Sequence, residues 1–333
     1  TTHKLAGQMP EACPPNNDEL PETWQDLDYK PFNEDTPADQ KDFYSKLFDR
    51  FDACIQKKKG QIRRINCEPL DIELTANHCL RKPFPMSPKN RDILIRMLLQ
   101  MEQEGFLKRE VTTRFCSPCF LVARGRNVMD MTEEEREHLI KTNPRAAFRI
   151  VIDLTLVNKL FRTSSNETAS ADTIIDSLQG HSIYATADLA ELFHMLPVSD
   201  KLSEAMSIIA PPNLIFRPLH AIEGLSKIPI FASQVVTFHI RKRCFSQSIS
   251  YMDDLAFFAS SVPHMREVMT SFFEDLEASN AMISLHKLVL ETTDFTYLGI
   301  NFKLDEYGLL TYLPLSQRYK IFGDIKSTDS GSL

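Results

Sequence analysis

The apolar positions of this chain change period along its length, and each change marks an element. Phe43, Leu47 and Phe51 recur at helical spacing, so a short helix is predicted over Lys41–Phe51, with order beginning near Asp42. Ser87-Pro88 opens a second helix, the serine as N-cap and the proline at the first helical position. Its apolar face is Ile93, Leu94, Met97, Leu98 and Met101, and Gly105 ends it. Phe115–Val122 and Ala147–Ile152 read as strands, separated by an acidic, helix-like insert over Asn127–Arg145. Ile183–Ala187 is a strand that runs straight into Asp188, and a helix is expected near Ile230–Ile240. Ser246–Tyr251 and Leu255–Ala259 have the length and composition of paired strands, which puts Asp253 and Asp254 at a hairpin turn. Met265, Val268, Met269, Phe272 and Leu276 give His264–Asn280 one apolar face. Met282–Leu290 and Phe295–Phe302 read as two more strands. From Ile183 onward the order is strand, helix, hairpin, helix, strand, which predicts an α+β chain built on a split βαβ sheet with helices on one face.

Composition changes this picture little. The 333 residues are 43% hydrophobic and 25% charged, with a formal net charge of −7, ample for a buried core in one large domain or two to three subdomains. No apolar run reaches the roughly 18 residues needed to span a bilayer, and no basic n-region opens the chain, so a soluble, intracellular protein is expected. The seven cysteines are odd in number and scattered, which argues for reduced thiols. Cys116-Ser-Pro-Cys119 has no second pair at zinc spacing and reads as thiols lining a strand. Basic residues are clustered despite the acidic total: Lys57-Lys58-Lys59 with Arg63-Arg64, Arg241-Lys242-Arg243, and a crowd formed by Lys82, Lys89, Arg91, Lys108, Arg109 and Arg114. Such runs are either solvated faces or a local track for phosphates, since counterion release counts contacts and not net charge.

The carboxylates carry the chemistry. Asp188 closes one strand and Asp253-Asp254 sit at the hairpin, and in a split βαβ sheet those strands are neighbours, so the three acids can converge on one edge. Three converging carboxylates repel one another or raise one another's pKa. Two divalent ions about 3.5–4 Å apart remove that conflict and create a phosphoryl-transfer site. Hard oxygen ligands favour Mg²⁺, with Mn²⁺ as a substitute.

At this point the residues resemble a known family. Tyr251-Met-Asp-Asp254 looks like the polymerase box of reverse transcriptases. Its companions stand in order: Ala187-Asp188-Leu189 with Phe193 resembles the first catalytic box, and Arg149 through Asp153 to Asn158-Lys159 resembles the fingers motif. Gly224-Leu225 followed by Pro229 resembles the template and nucleotide box. Lys287 is similar to the lysine after the catalytic hairpin, and Tyr297-Leu298-Gly299-Ile300 looks like the primer grip. The likeness runs from about residue 45 to 305 and is nearest to the enzymes of gypsy-type LTR retrotransposons and retroviruses.

The resemblance implies a right-hand polymerase fold: a linker over 1–40, an N-terminal segment over 41–84, fingers over 85–165, a palm over 166–305 with a fingers segment near 200–228, and the start of a truncated thumb over 306–333, its first helix at Leu315–Ile325. It implies RNA-directed DNA polymerisation on an RNA or DNA template with a primer, from deoxynucleoside triphosphates, with RNase H and integrase domains downstream in a polyprotein, away from membranes and in a cytoplasmic retroelement particle, with the nucleus as the alternative location. Asp188, Asp253 and Asp254 are then the catalytic acids and, with the Leu189 carbonyl, the metal ligands. Arg149, Phe193, Gly224 and Lys287 bind the nucleotide, with Phe193 as steric gate against a 2′-hydroxyl, and Leu298 and Gly299 form the primer grip. Glu223 departs from the Gln or Phe that the family carries before this glycine, and either Arg124 or Arg126 takes the place of the fingers lysine. Two other functions share these features: a catalytically silent, nucleic-acid-binding relative, and a nucleotide cyclase or other two-metal enzyme on the same sheet.

Overall fold

The computed structural model describes residues 21–58, 61, 63–125, 131–161 and 171–314. In chain order its strands are β1 (Cys79–Leu80), β2 (Leu107–Glu110), β3 (Phe115–Ala123), β4 (Phe148–Ile152), β5 (Ile183–Asp188), β6 (Ile208–Ala210), β7 (Leu214–Pro218), β8 (Ser248–Tyr251), β9 (Asp254–Ala259), β10 (Val289–Thr292), β11 (Asp294–Tyr297), β12 (Ile300–Leu304) and β13 (Leu310–Pro314). They divide between two compact units, one formed from Glu68–Ser164 and Phe193–Ile228, the other from Leu20–Cys67, Ser165–Leu192 and Pro229 onward.

In the first unit the sheet runs β1-β3-β6-β7-β2, with β4 paired antiparallel to β3. The helix Pro88–Gln103 begins as expected: the Ser87 side chain accepts from the Asn90 N–H at 3.3 Å. Its Ile93 and Met97 pack with Ile140, Ala147, Leu121 and Ile150. The acidic insert is helical over Glu133–Thr142, where Thr132 and Glu135 form a reciprocal capping box. Cys116 and Cys119 are buried in β3 as free thiols. Three positions apart on a strand, they point to opposite faces and cannot share a ligand. Burial pushes the Cys119 thiol up to about 12, so it is inert.

In the second unit the central sheet is antiparallel in the order β10-β5-β9-β8. Numbered from its own first strand this is 4-1-3-2, the split βαβ order predicted from the sequence. The helix Val262–Ser279 buries Met265, Val268, Met269, Phe272 and Leu276, the predicted face, and ends at Asn280 in the left-handed conformation. A second cluster joins Tyr184, Ala256 and Phe258 to Phe295, Tyr297, Ile300 and Phe302.

Several boundaries differ from expectation. Phe295–Phe302 is two strands and not one: Leu298 (φ 51°) and Gly299 (φ 78°) turn the chain so that Tyr297 pairs with Ile300. Two consecutive positive φ angles suit the right-handed twist of a two-residue hairpin. Most of Met282–Leu290 is likewise not a strand. Leu285–Lys287 is a 3-10 turn, and pairing with β5 begins only at Val289. The first helix covers Ala38–Arg50, and structure starts ahead of it. Trp24 is buried against Phe48 and Phe32, its N–H on the Asp52 carboxylate at 2.6 Å and its indole Nε1–H on Asp49 at 2.8 Å. Residues 21–40 therefore include packed chain where the sequence reads as linker. The proposed helix Leu315–Ile325 lies outside the described residues, as does Arg126. Among the described residues no helix is long and apolar enough to cross a membrane.

Candidate active site

The hairpin β8–β9 places the acids. Tyr251 pairs with Asp254, so the turn is Met252–Asp253, with Met252 at φ 55°. The sequence put both acids in the turn; the register puts Asp254 in the strand. That one-residue difference matters, because Asp254 is then directly opposite Asp188 across β5 and β9. Asp253, on the turn, is held through its backbone, whose carbonyl accepts from the Leu189 N–H at 2.9 Å. The turn thus re-aims one carboxylate while its neighbour stays in the ladder, the arrangement two adjacent acids need to serve one site.

Asp188 is buried and half-buried Asp253 and Asp254 stand beside it. Burial pushes the Asp188 carboxyl above its ordinary range, and a 2.6 Å contact from Lys287 Nζ opposes that shift. Burial acts to lower the Lys287 ammonium, but its bond to Asp188 and the nearby charges of Asp254 and Asp253 leave it raised. Asp188 and Ala190 also bond Ser284 and Met282 through the backbone, around the bridge Leu189–Ile283. That ladder uses the carbonyl of Asp188 and not that of Leu189. Among the described residues no three His, Cys, Asp or Glu side chains stand ready-made around a metal position. The donor set nevertheless fits a hard divalent cation: carboxylate oxygens at one end of a sheet, one of them too buried to be well solvated. The oxygen such an ion needs is taken by the lysine.

The residues that resemble the primer grip lie in the same unit. Leu298 and Gly299 form the tip of the β11–β12 hairpin, and the buried Tyr297 beside them donates its O–H to the Asp254 carbonyl at 3.2 Å. Sequence reasoning placed Tyr297 in the motif without giving it this contact.

Arg149, Phe193 and Gly224 belong to the other unit. Arg149 is exposed on β4, opposite Val122, and has no ion pair among the described residues. Arg124 donates to the Phe148 carbonyl at 3.2 Å. Phe193 is half-buried in the short helix Leu192–Met195. Gly224 sits at φ 95°, a backbone that side chains resist, although a Cβ there would meet only ordinary contacts with Leu154 and Ile152. Asn158 of the fingers motif clamps this loop, donating Nδ2 to the Gly224 carbonyl at 2.8 Å and accepting from the Ser226 N–H at 2.9 Å. Glu223 beside it is exposed. Asp153 of the same motif pairs with Arg81.

The basic runs are mostly spent internally. Lys89, Arg91, Lys108, Arg109 and Arg114 pair with Glu137, Asp92, Glu110, Glu102 and Glu204. Arg241 is buried, donating to the Ser248 carbonyl, and Arg243 pairs with the buried Asp275. Lys57 pairs with Asp52. The pairs of Lys89, Arg91, Lys108, Arg109 and Arg114 are solvent-exposed and therefore weak, whereas the contacts of Arg241 and Arg243 involve buried groups.

The chain is 25% identical over 174 residues to the retrovirus-related Pol polyprotein from transposon 412 of Drosophila melanogaster, a match covering 52% of this chain and 14% of that polyprotein. Among solved structures it resembles the foamy viral protease-reverse transcriptase in complex with dsDNA, with a TM-score of 0.67 at 17% identity over 83% of this chain and 53% of that one. The same viral protein in complex with an RNA/DNA hybrid gives 0.63 at 17% identity, over 81% of this chain and 33% of that one. The chain therefore spans a small part of the polyprotein and about half or less of the viral chains, and it shares with the latter the right-hand polymerase fold. The profile of the family described as reverse transcriptase (RNA-dependent DNA polymerase) matches residues 136–302, a span that takes in the fingers motif, all three acids, Lys287 and the primer-grip turn; the chain belongs to that family.

Proposed function

We propose that this chain is the RNA-directed DNA polymerase of a retroelement Pol-type polyprotein, adding deoxynucleotides to a primer 3′-hydroxyl on an RNA or DNA template. The observation that carries this reading is the cross-strand pair Asp188–Asp254 with Asp253 on the adjoining turn. Asp188 and Asp253 would hold two Mg²⁺ ions, with Mn²⁺ able to replace them, and Asp254 would support them and the primer end. Such ions, when bound, lower the pKa of the attacking hydroxyl and neutralise charge on the phosphates. The chain's own part is positional. Tyr297 and the Leu298–Gly299 turn hold a primer end against Asp254. By family resemblance Arg149 lies along the triphosphate, where its fork suits phosphate oxygens. Phe193 closes the space beneath the sugar, and the Gly224 loop, held by Asn158, backs the nascent base pair.

Primer extension on an RNA template with Mg²⁺ and deoxynucleotides, run beside Asp253→Asn, tests the reading. The wild-type chain is expected to extend, and the variant to lose activity by orders of magnitude while folding normally. A second reading, a silent module that grips nucleic acid, draws on the exposed carboxylate of Glu223 beside Gly224. It predicts equal binding of primer–template by both proteins and extension by neither.

A further inference from the structure

The contact between Lys287 and Asp188 has a cost for any cation that shares the site. The Asp188 side chain is only 10% exposed, so its ionised carboxylate needs a partner, and Lys287 Nζ supplies one at 2.6 Å from Oδ1. The lysine side chain is 62% exposed, so once another cation neutralises Asp188 it can swing into solvent at small cost. Its backbone is not free in the same way. The Ser284 N–H bonds the Asp188 carbonyl at 3.1 Å and the Lys287 N–H bonds the Ser284 carbonyl at 3.3 Å, which fixes the 3-10 turn Leu285–Lys287 to the end of β5.

A distant segment holds the same turn from outside. The Tyr29 ring stacks on His286, with centroids 4.5 Å apart and planes at 20°. The chain on either side of Tyr29 is anchored: Trp24, five residues before it, is buried, and the Lys30 Nζ reaches the Gln25 and Leu27 carbonyls. Nothing in the local pattern of residues 21–37 foretells that they brace the neighbour of a lysine on a catalytic acid.

We propose that Lys287 is the resident counter-ion of Asp188, held there through the Tyr29–His286 stack, and that a divalent cation binds by displacing it. The inference rests on the reading that Asp188 and Asp253 hold divalent ions. A divalent ion wins because it meets two carboxylates at once where the ammonium meets one, and the displaced lysine is then released toward solvent and the substrate phosphates. Tyr29 is a positioning residue: it acts on the cation only through the turn that carries Lys287.

The test is Mn²⁺ affinity, read by loss of the free-ion EPR signal on the whole chain without nucleotide or template. Lys287→Met is expected to bind Mn²⁺ about fivefold more tightly, the factor that a partly exposed ion pair represents. Lys303→Met, which removes an equally exposed lysine paired with Asp294 at 3.8 Å, serves as the control for net charge and is expected to change affinity little. Tyr29→Ala is expected to tighten binding about twofold, in the same direction as Lys287→Met, and to add nothing in a Lys287→Met background. Tyr29→Phe, which keeps the ring, behaves as wild type. A merely structural Tyr29 would weaken binding or leave it unchanged. Equal affinities for Lys287→Met and Lys303→Met, or a weaker Lys287→Met, overturn the proposal. Wild-type Mn²⁺ binding that Asp253→Asn removes upholds the underlying site independently; if Asp253→Asn removes none, the site reading and this inference fall together.

Discussion

The phenol of Tyr297 donates to the backbone carbonyl of Asp254 across 3.2 Å, tying the hairpin of the primer-grip motif to the strand that opposes Asp188. Burial raises the Tyr297 hydroxyl well above its ordinary range, so it stays a protonated donor at every pH the fold tolerates. The two motifs are thus one mechanical unit: a shift of the Leu298–Gly299 turn is transmitted to Asp254 through one hydrogen bond and the shared apolar cluster around Tyr184 and Phe295.

Tyr297→Phe removes that donor while keeping the ring in place. We expect a loss of about 1 kcal/mol in urea unfolding, the net worth of one buried hydrogen bond. In primer extension the turnover rate should fall more than the KM for deoxynucleotide rises, because the change touches the acids and not Arg149, Phe193 or Gly224, for which nucleotide binding is proposed.

Gly224→Ala tests a backbone and not a space requirement. At φ 95° the new Cβ meets only ordinary contacts, so the expected cost is the conformational one, about 1–2 kcal/mol. Asn158→Ala frees the same loop by removing both of its clamping bonds and should cost a similar amount. Because the two changes loosen one loop, the double variant should lose less than the sum, measured as a double-mutant cycle by chemical denaturation.

Asp153 sets part of the acid stability. Its hydrogen bonds with Thr155 and with Arg81 hold the carboxyl down to about 2 in the folded protein, against about 3.9 in an unfolded chain. A depressed carboxylate contributes stability that is fully present above the unfolded value and is lost as pH falls through the folded one. Unfolding measured from pH 5 to pH 2 should therefore show a steeper loss for wild type than for Asp153→Asn, which lacks the titrating group. The two curves should run parallel above about pH 5.

Trp24 is the only tryptophan in the chain, so its fluorescence reports one site. It is buried between Phe32 and Phe48. Emission should be blue-shifted in the native protein and move to the red in Phe48→Ala. Trp24→Ala should cost about 3–5 kcal/mol and open residues 21–37 to limited proteolysis before the rest of the chain unfolds.

Much of this protein is determined by local pattern. Apolar residues at helical spacing located Pro88–Gln103 and Val262–Ser279, and period and composition located β3, β4, β5 and the β8–β9 hairpin, because a side chain's face on a helix or strand follows from its position alone. The three acids were legible for the same reason: each lies at the end of an apolar run. Tertiary structure decided what local pattern leaves open. Register put Asp254 into the ladder opposite Asp188 and left Asp253 on the turn, a difference of one residue that reverses a side chain's face. Two positive φ angles at Leu298 and Gly299 split an apparent strand into the hairpin of the primer-grip motif. Partners remote in sequence fixed the rest: Lys287 on Asp188, Asn158 on Gly224, Tyr29 on His286, and acids neutralising the basic runs. Periodicity carries no information about contacts between residues a hundred positions apart, since only the folded topology brings them together.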